Sequence, residues 1–325
     1  MKKEDFQALT AEIDKLTPHQ RKLLTQCLSQ IENVQVINTL IESRVSTAAV
    51  CPKCGHNKIA HWGTASGLQR YRCAACKATF NALTGTPLAR LRHKDKWLDY
   101  AQQMEQGQSV RKSANACEVH RNTAFRWRHR FLVEPNSSKP ASLVGIAEAD
   151  EAFFLESFKG RKKAMPRASR KRGGKAATPG LSDEQIPVLI CRDRTGSTTD
   201  FILEKDDRTH IFEALKPILA SDAILCTDGS RAMIGVARKI GITHRPVNLA
   251  AGIRVISKVY HVQNVNAYGS RLKTWMRRFN GVATHYLANY LGWRRYLDCH
   301  SRHPSPAAFL GASLGIKPVQ QLTVT

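Results

Sequence analysis

From Gly229 to Leu297 the chain has no aspartate and no glutamate, although it carries twelve lysines and arginines there. Any carboxylate chemistry must come from elsewhere, and a ligand supplied by this stretch must be neutral. Also missing is any run of 18 apolar residues, so no membrane-spanning helix is expected. The opening MKKEDFQAL is charged and lacks the apolar core of a signal peptide, which predicts an intracellular protein. Acid is scarce throughout: 26 Asp and Glu face 50 Lys and Arg, a formal charge of +24. That imbalance predicts a polyanionic partner, nucleic acid before all others. A ribosome-associated or membrane-surface protein is the alternative on charge alone.

What is present begins with size and sulfur. At 325 residues two or three domains are expected, and a 42% hydrophobic content is enough for real cores. Nine cysteines, an odd number, fit a reducing compartment, where paired cysteines bind metal more often than they form disulfides. Cys51 and Cys54, then Cys73 and Cys76, form C-x2-C-x18-C-x2-C. Two such knuckles, each offering two thiolates, can close a tetrahedral Zn2+ site between two β-hairpins. Four sulfur ligands complete the coordination, so the zinc is expected to be structural. A redox-active pair of C-x2-C motifs is the other reading. His61, Trp62, Tyr71 and Arg72 between the pairs suit ribbon strands.

Residues 1–47 read as a helical segment, nearly charge-balanced, with Thr17-Pro18 as cap and first helical position, and Leu24, Cys27, Leu28 and Ile31 at helical spacing. Its neutrality points to a protein contact. Residues 48–84 form the expected zinc ribbon. Residues 85–133 read as three helices, HKDKWLDYAQQMEQG, SVRKSANACEV and RNTAFRWRHRFL. Trp97, Tyr100, Ala101 and Met104 could face a core, as could Phe125, Trp127 and Phe131. Asn122 could cap the third helix, leaving Arg121, Arg126, Arg128 and Arg130 for phosphates and base edges. The pattern fits a helix-turn-helix with its recognition helix near 122–133; a basic three-helix structural unit is the alternative.

EPNSSKPAS predicts a linker over 134–143. An α/β domain is expected over 144–300, with a tail over 301–325. Strands are expected at 145–155, 187–194, 198–205 and 223–230, with a hairpin at Thr195-Gly196 and helices between and after. Asp150 lies near the end of the first strand and Asp228 at the end of the fourth, where α/β sheets place ligand sites. Two carboxylates brought together there repel unless a cation neutralises them, and Mg2+ prefers such hard oxygens. Two Mg2+ ions about 4 Å apart can hold the attacking and leaving oxygens of a phosphodiester, and Mn2+ can substitute. Glu148 shares the strand face of Asp150 as a reserve acid, Glu151 points the other way, and Asp193 reads as a turn residue. The closing helix starts near His261. Its apolar stripe is Tyr268, Leu272, Trp275, Met276 and Phe279, and its opposite stripe is Asn266, Lys273 and Arg277. Asn266 is therefore the leading third ligand, and a solvated helix residue is its plain alternative. KGRKKAMPRASRKRGGK, with nine basic residues in seventeen, lies in an insertion at 157–185. Lys162, Lys163, Arg170, Lys171 and Arg172 could grip a DNA backbone there, or simply keep a loop soluble.

AEADE with Asp150, LCTDGS with Asp228, and HVQNVNAYGSRLKTW with His261, Asn266 and Lys273 follow one another in an order that resembles DDE-type bacterial insertion-sequence transposases. The resemblance is greatest to the ISXO-like group, insertion sequence family 1595, some of whose members carry asparagine in place of the third acid. It spans about residues 48–300, including GVATHYLANYLGWRRYLD. It implies a multidomain chain: N-terminal helices, a zinc ribbon, a helix-turn-helix and an α/β RNase H-like catalytic domain. It also implies Mg2+ held by Asp150, Asp228 and Asn266, a phosphate contact from Lys273, and a water- or phosphate-orienting role for His261 unless that histidine serves the core. Double-stranded DNA, as element ends and target, is the implied partner, with a homodimer or higher oligomer on DNA, no membrane, and a bacterial, cytoplasmic, nucleoid-associated location. A non-catalytic DNA-binding protein, either a domesticated transposase or a zinc-ribbon regulator, is the alternative, as is a nuclease or resolvase of the same fold.

Overall fold

The computed structural model describes residues 2–316, apart from 48–49, 162–164, 166, 169, 171–172, 175, 178–181, 249–250 and 302–304. The chain divides into two compact units, Met1–Phe131 with Ser305–Thr325, and Leu132–Pro304. No helix among the described residues is long and apolar enough to cross a membrane.

The first unit opens with α1 (Lys3–Ile13) and α2 (Pro18–Thr47). Thr17 starts α2 through a reciprocal cap: its amide donates to Gln20 Oε1 at 2.8 Å, and the Gln20 amide returns to Thr17 Oγ1 at 3.3 Å. The far half of α2 reaches the core, where Ile37 and Ile41 are fully buried. Glu42, one residue further on, ties α2 to a three-stranded antiparallel sheet of β1 (Ile59–Ala65), β2 (Leu68–Cys73) and β3 (Thr79–Asn81). Its carboxylate accepts from the Tyr71 hydroxyl at 2.9 Å and the Gln69 amide at 3.0 Å. Then come α3 (Trp97–Glu105), α4 (Val110–Ala116) and α5 (Arg121–Phe131). Trp97, Tyr100, Ala101 and Met104 are buried as their spacing predicts, and Tyr100 meets Trp127 and Phe131 edge-on at 5.2 and 5.4 Å. On α5 the buried stripe is Ala124, Trp127, Arg128 and Phe131. Phe125 lies off that stripe, exposed against His129, contrary to expectation. The C-terminal tail expectation also changes. Ser305 caps α11 (Pro306–Ser313), whose Phe309 and Leu310 are fully buried, and the helix packs on α2, α3 and α5.

The second unit is a five-stranded mixed sheet. Its strands are β4 (Ile146–Leu155), β5 (Gln185–Asp193), β6 (Thr198–Ile202), β7 (Ile224–Thr227) and β8 (Thr243–Pro246), in the order β6-β5-β4-β7-β8. The β4-β5-β6 ladders are antiparallel, and β7 and β8 add in parallel. The β5–β6 hairpin turns on Asp193, whose Oδ1 accepts from the amides of Thr195 at 2.9 Å and Ser197 at 3.0 Å, the turn role expected. β8, a four-residue THRP strand, was not anticipated; it is too short and polar to show alternation.

Helices cover both faces. α7 (Arg208–Leu215) and α8 (Arg231–Ile240) close a core over Ala147, Ala149, Leu189 and Leu225. α9 (Gln263–Arg277) lies over the other face of β4 and β5 and meets α10 (Leu287–Cys299) in an aromatic cluster, with Trp275 4.9 Å from Trp293 and Phe279 4.9 Å from Tyr290.

Much of the expected linker is ordered structure. Residues Val133–Ser137 form α6, packed on α10 at Gly292, where an added Cβ would lie 2.4 Å from Asn136 Cα. Arg295 holds this segment by donating to the carbonyls of Pro135, Asn136 and Ser138 at 3.1, 2.8 and 3.2 Å. Its other branch pairs with Asp200, and both residues are buried. Breaking a buried pair strands one charge. Arg295→Leu should therefore cost about 3–5 kcal/mol in denaturant unfolding of the full chain, and Asp200→Leu with Arg295→Leu should recover part of that loss.

Candidate active site

The site follows from strand register. β4 and β7 run in parallel with Glu148 opposite Cys226, so Asp150 on β4 and Asp228 just past the end of β7 fall at the same end of the sheet. Asp228 follows the last residue of β7, and its Oδ1 accepts from the Ser230 amide at 3.0 Å. Gly229 between them has φ +82°, and a Cβ there would press on Pro246 at 3.2 Å. Ser230 then caps α8 by accepting from the Met233 amide at 3.3 Å.

A cavity of about 430 Å³ opens here, lined by Asp150 and Ala152 of β4, Ile190 of β5, and Asn266, Gly269, Ser270, Lys273, Thr274 and Arg277 of α9. Asn266, Lys273 and Arg277 thus line the cavity that Asp150 lines. Ser270 and Thr274 also line it; their spacing from Asn266, four and eight residues, could have revealed them in the sequence. Burial holds the Asp150 carboxyl above its ordinary range, Asp228 adds to this, and Lys273 opposes it. Glu151, on the opposite strand face, is pushed up to about 8, chiefly by burial and then by Asp206, Asp150 and Asp228. Negative charge therefore accumulates at this end of the sheet in a strongly cationic chain. Two adjacent carboxylates with an amide oxygen across a cavity form a donor set that fits a hard divalent cation.

Glu148 is not a spare acid in that cavity. It is fully buried, and its Oε2 accepts from the Val265 amide in the first turn of α9 at 2.9 Å. Arg194 Nη1 lies 2.8 Å from Glu148 Oε1, and His261 Nδ1 lies 3.4 Å from it. Arg194 also meets His261 Nε2 at 2.8 Å and donates to the Val259 carbonyl at 2.8 Å. His261 therefore belongs to this ion cluster at the start of α9 and does not line the cavity. Beyond the other end of α9, Lys159 Nζ donates to the carbonyls of Phe279, Asn280 and Gly281 at 3.2, 3.2 and 2.8 Å. An anion at the N-terminus and a cation at the C-terminus both complement the helix dipole.

The four ribbon cysteines converge. All four Sγ atoms lie within 4.8 Å of one another, with Cys51–Cys76 and Cys54–Cys73 each at 3.6 Å. Four sulfurs 2.3 Å from a tetrahedral zinc are about 3.8 Å apart, so the cluster fits that ion. The Cys76 amide, donating toward Cys73, helps hold that thiol below its ordinary value.

The expected DNA-contacting residues divide. Arg121, Asn122 and Arg126 are exposed on α5. Arg128 is not available to DNA: it is fully buried and donates to the Gln108 carbonyl at 2.6 Å and to Ser113 Oγ at 3.4 Å. Arg130 turns inward to the carbonyls of Pro87 and Ala89. Asn122 does not cap α5; its amide donates to His120 Nδ1 at 3.2 Å, so the cap precedes it. Arg126, with Arg90 and Lys94, lines a cleft of about 890 Å³ between the three-stranded sheet and the helices. Arg90 and Lys94 were missed, although LRHKDK signals a basic cluster. In the insertion, Arg170 pairs with Glu184 at 3.0 Å and donates to the Glu156 carbonyl at 2.7 Å. Lys162, Lys163, Lys171 and Arg172 lie outside the described residues.

Residues 142–296 match the family model of the ISXO2-like transposase domain. The chain is also 28% identical over 261 residues to an uncharacterized protein in transposable element ISH50 of Halobacterium salinarum (strain ATCC 700922 / JCM 11081 / NRC-1), covering 78% of this chain and 86% of that protein. Two solved structures resemble it weakly. One is a simian T-cell lymphotropic virus intasome in complex with PP2A regulatory subunit B56 gamma (TM-score 0.27, 9% identity, 48% of this chain and 49% of that one). The other is a pre-cleavage Mos1 transpososome (TM-score 0.20, 12% identity, 66% and 78%). Scores this low carry no argument.

Two predictions follow from the geometry. Metal analysis of the purified chain should find about one zinc per molecule, and Cys54→Ser should reduce it to near zero. Glu148→Leu should speed hydrogen exchange at the amides of residues 264–268 while leaving those of 272–277 slow, and should cost on the order of 3 kcal/mol in unfolding.

Proposed function

We propose that this chain is a DNA transposase that cuts at the ends of its own element and joins the freed 3′-OH ends to target DNA. The observation that carries this reading is the convergence of Asp150 and Asp228 with a cavity whose far wall holds Asn266, Lys273 and Arg277. The match of residues 142–296 to the ISXO2-like transposase domain supports it. The strand order β6-β5-β4-β7-β8, with one antiparallel wing and one parallel wing, supports an RNase H-like reading of this domain. The excess of cations over acids supports a DNA partner.

Asp150 and Asp228 would hold Mg2+, with Mn2+ as a substitute, and Asn266 would add a neutral amide oxygen. The bound ions supply neutralisation of phosphate charge and Lewis-acid polarisation of the scissile bond. The remaining work falls to the chain's own side chains. Lys273 and Arg277, one turn apart on α9, hold non-bridging phosphate oxygens, and the hydroxyls of Ser270 and Thr274 donate beside them. This grip orients the phosphodiester for in-line attack. Water attacks first, and the phosphorus–oxygen bond to the 3′ oxygen breaks. The freed 3′-OH then attacks a target phosphodiester, and the displaced oxygen leaves with the proton. No side chain needs to bond covalently to DNA.

The zinc ribbon and the α4–turn–α5 helix-turn-helix would recognise the terminal inverted repeats. On this reading Arg121, Asn122 and Arg126 would enter the major groove, and Arg90 and Lys94 would hold the adjoining backbone. The chain would act as a dimer or larger assembly on two ends.

The test is a cleavage and joining assay with DNA carrying the gene's own flanking ends and Mg2+ or Mn2+. Wild type should produce joined 3′ ends, Asp228→Ala should lower the rate at least about 10³-fold, and Asn266→Ala should slow it less. If wild type binds the ends and never cuts while Asn266→Glu cuts, the reading fails, and the chain is a DNA-binding descendant of a transposase.

A further inference from the structure

Among the described residues, nothing covers α1 or the first half of α2. α1 buries none of its residues. Every described residue from Pro18 to Glu32 of α2 is exposed, although the same helix is anchored in the core further along at Ile37 and Ile41. The exposed positions are not polar. Phe6, Leu9 and Ile13 recur at i, i+3 and i+7 on α1, and Leu24, Leu28 and Ile31 at i, i+4 and i+7 on α2. Phe6, Leu9 and Leu28 are each 53% exposed and Ile31 is 59% exposed. An 11-residue helix with no packed face is marginal by itself, and apolar stripes of this extent mark contact sites.

The charges identify the occupant. Within the +24 chain, α1 carries Lys3 against Glu4, Asp5 and Glu12, a net −2. Residues 18–31 carry Arg21 and Lys22 with no acid, a net +2. A nucleic acid would be repelled by the first and would leave the apolar stripes of both uncovered. A second copy of the chain satisfies both helices at once. In a two-fold arrangement, α1 of each copy meets α2 of the other, so −2 faces +2 twice and apolar stripe meets apolar stripe. Two stripes from each copy can approach the roughly 800 Å² per partner of a standard interface.

We propose that two copies of this chain associate through α1 and the first half of α2, with α1 of each copy packed on α2 of the other. The contact needs no DNA. It brings two ribbons and two catalytic units into one particle, but it stands or falls independently of any DNA chemistry.

The experiment is the mass of the full-length chain, measured without DNA by light scattering across a concentration series. Wild type should have twice the chain mass at micromolar concentration. Leu28→Glu with Ile31→Glu should raise the dissociation constant at least about 30-fold and give the single-chain mass. Arg21→Glu with Lys22→Glu should weaken the pair about 10-fold. Adding Glu4→Lys and Asp5→Lys to that variant should restore it. These last changes touch only exposed polar positions, so they decide the matter even if the leucine variant misfolds. A wild type that remains a single chain would overturn the proposal. So would a double-glutamate variant that stays paired, or a charge reversal that α1 fails to rescue.

Discussion

The second unit depends on one buried carboxylate. Glu148 sits two residues before Asp150 on β4 and accepts from the Val265 amide of α9 at 2.9 Å. Burying an ion is costly unless its charge is compensated. Here the Arg194 guanidinium, 2.8 Å from Oε1, and a helix N-terminus at Oε2 compensate it. The consequence is geometric. The strand that carries Asp150 also fixes the start of the helix that carries Asn266 and Lys273. Lys159, four residues after the end of β4, holds the chain just beyond the far end of α9. The two walls of the cavity are therefore coupled through one stretch of backbone, and a site supported in this way can keep its spacing without its own ligands.

The other acids of this unit show why the cavity is different. Asp298 takes Arg192, Arg271 and Arg294 at 2.7, 3.1 and 3.2 Å; burial works against its charge, and the three guanidinium groups hold its carboxyl below the ordinary range. Asp200 takes Arg295, and Glu148 takes Arg194. Asp150 and Glu151 move the opposite way. Their carboxyls are raised by burial and by neighbouring acids. Structural acids here are matched with arginine, whereas the acids at the end of the sheet are set against each other. That contrast separates a site that calls for an added cation from a scaffold that already contains its own.

The sequence made the cysteine spacing, the two aspartates and the apolar back of α9 legible, because each depends on local period or identity. Tyr268, Leu272 and Trp275 are buried as the helical period requires. What escaped was set by partners distant in sequence. Arg128 reads as a surface base in a run of arginines, yet it is drawn inside by the Gln108 carbonyl twenty residues earlier. Residues 133–137 read as linker because their helix depends on Arg295, about 160 residues away. Glu148 reads as a reserve acid because strand alternation puts it on the face of Asp150, and His261 as a candidate because the resemblance implies it; only the fold shows that they serve the helix entrance. α11 looked like a tail because its burial depends on α2, α3 and α5.

These surroundings explain the asparagine. Position 266 lies in the second turn of α9, close to an N-terminus already capped by Glu148. Helix electrostatics would favour an acid there, so the helix does not account for its absence. The cavity does. Burial and then Asp228 already raise the Asp150 carboxyl, and the neighbouring Glu151 and Asp206 are raised as well. A further carboxylate facing Asp150 across 430 Å³ would deepen that repulsion and would also oppose an entering phosphate. An amide offers the same oxygen without the charge. On the proposed reading it gives up cation affinity and leaves a polyanionic substrate a less hostile cavity, with Lys273 and Arg277 on the same helix to receive it.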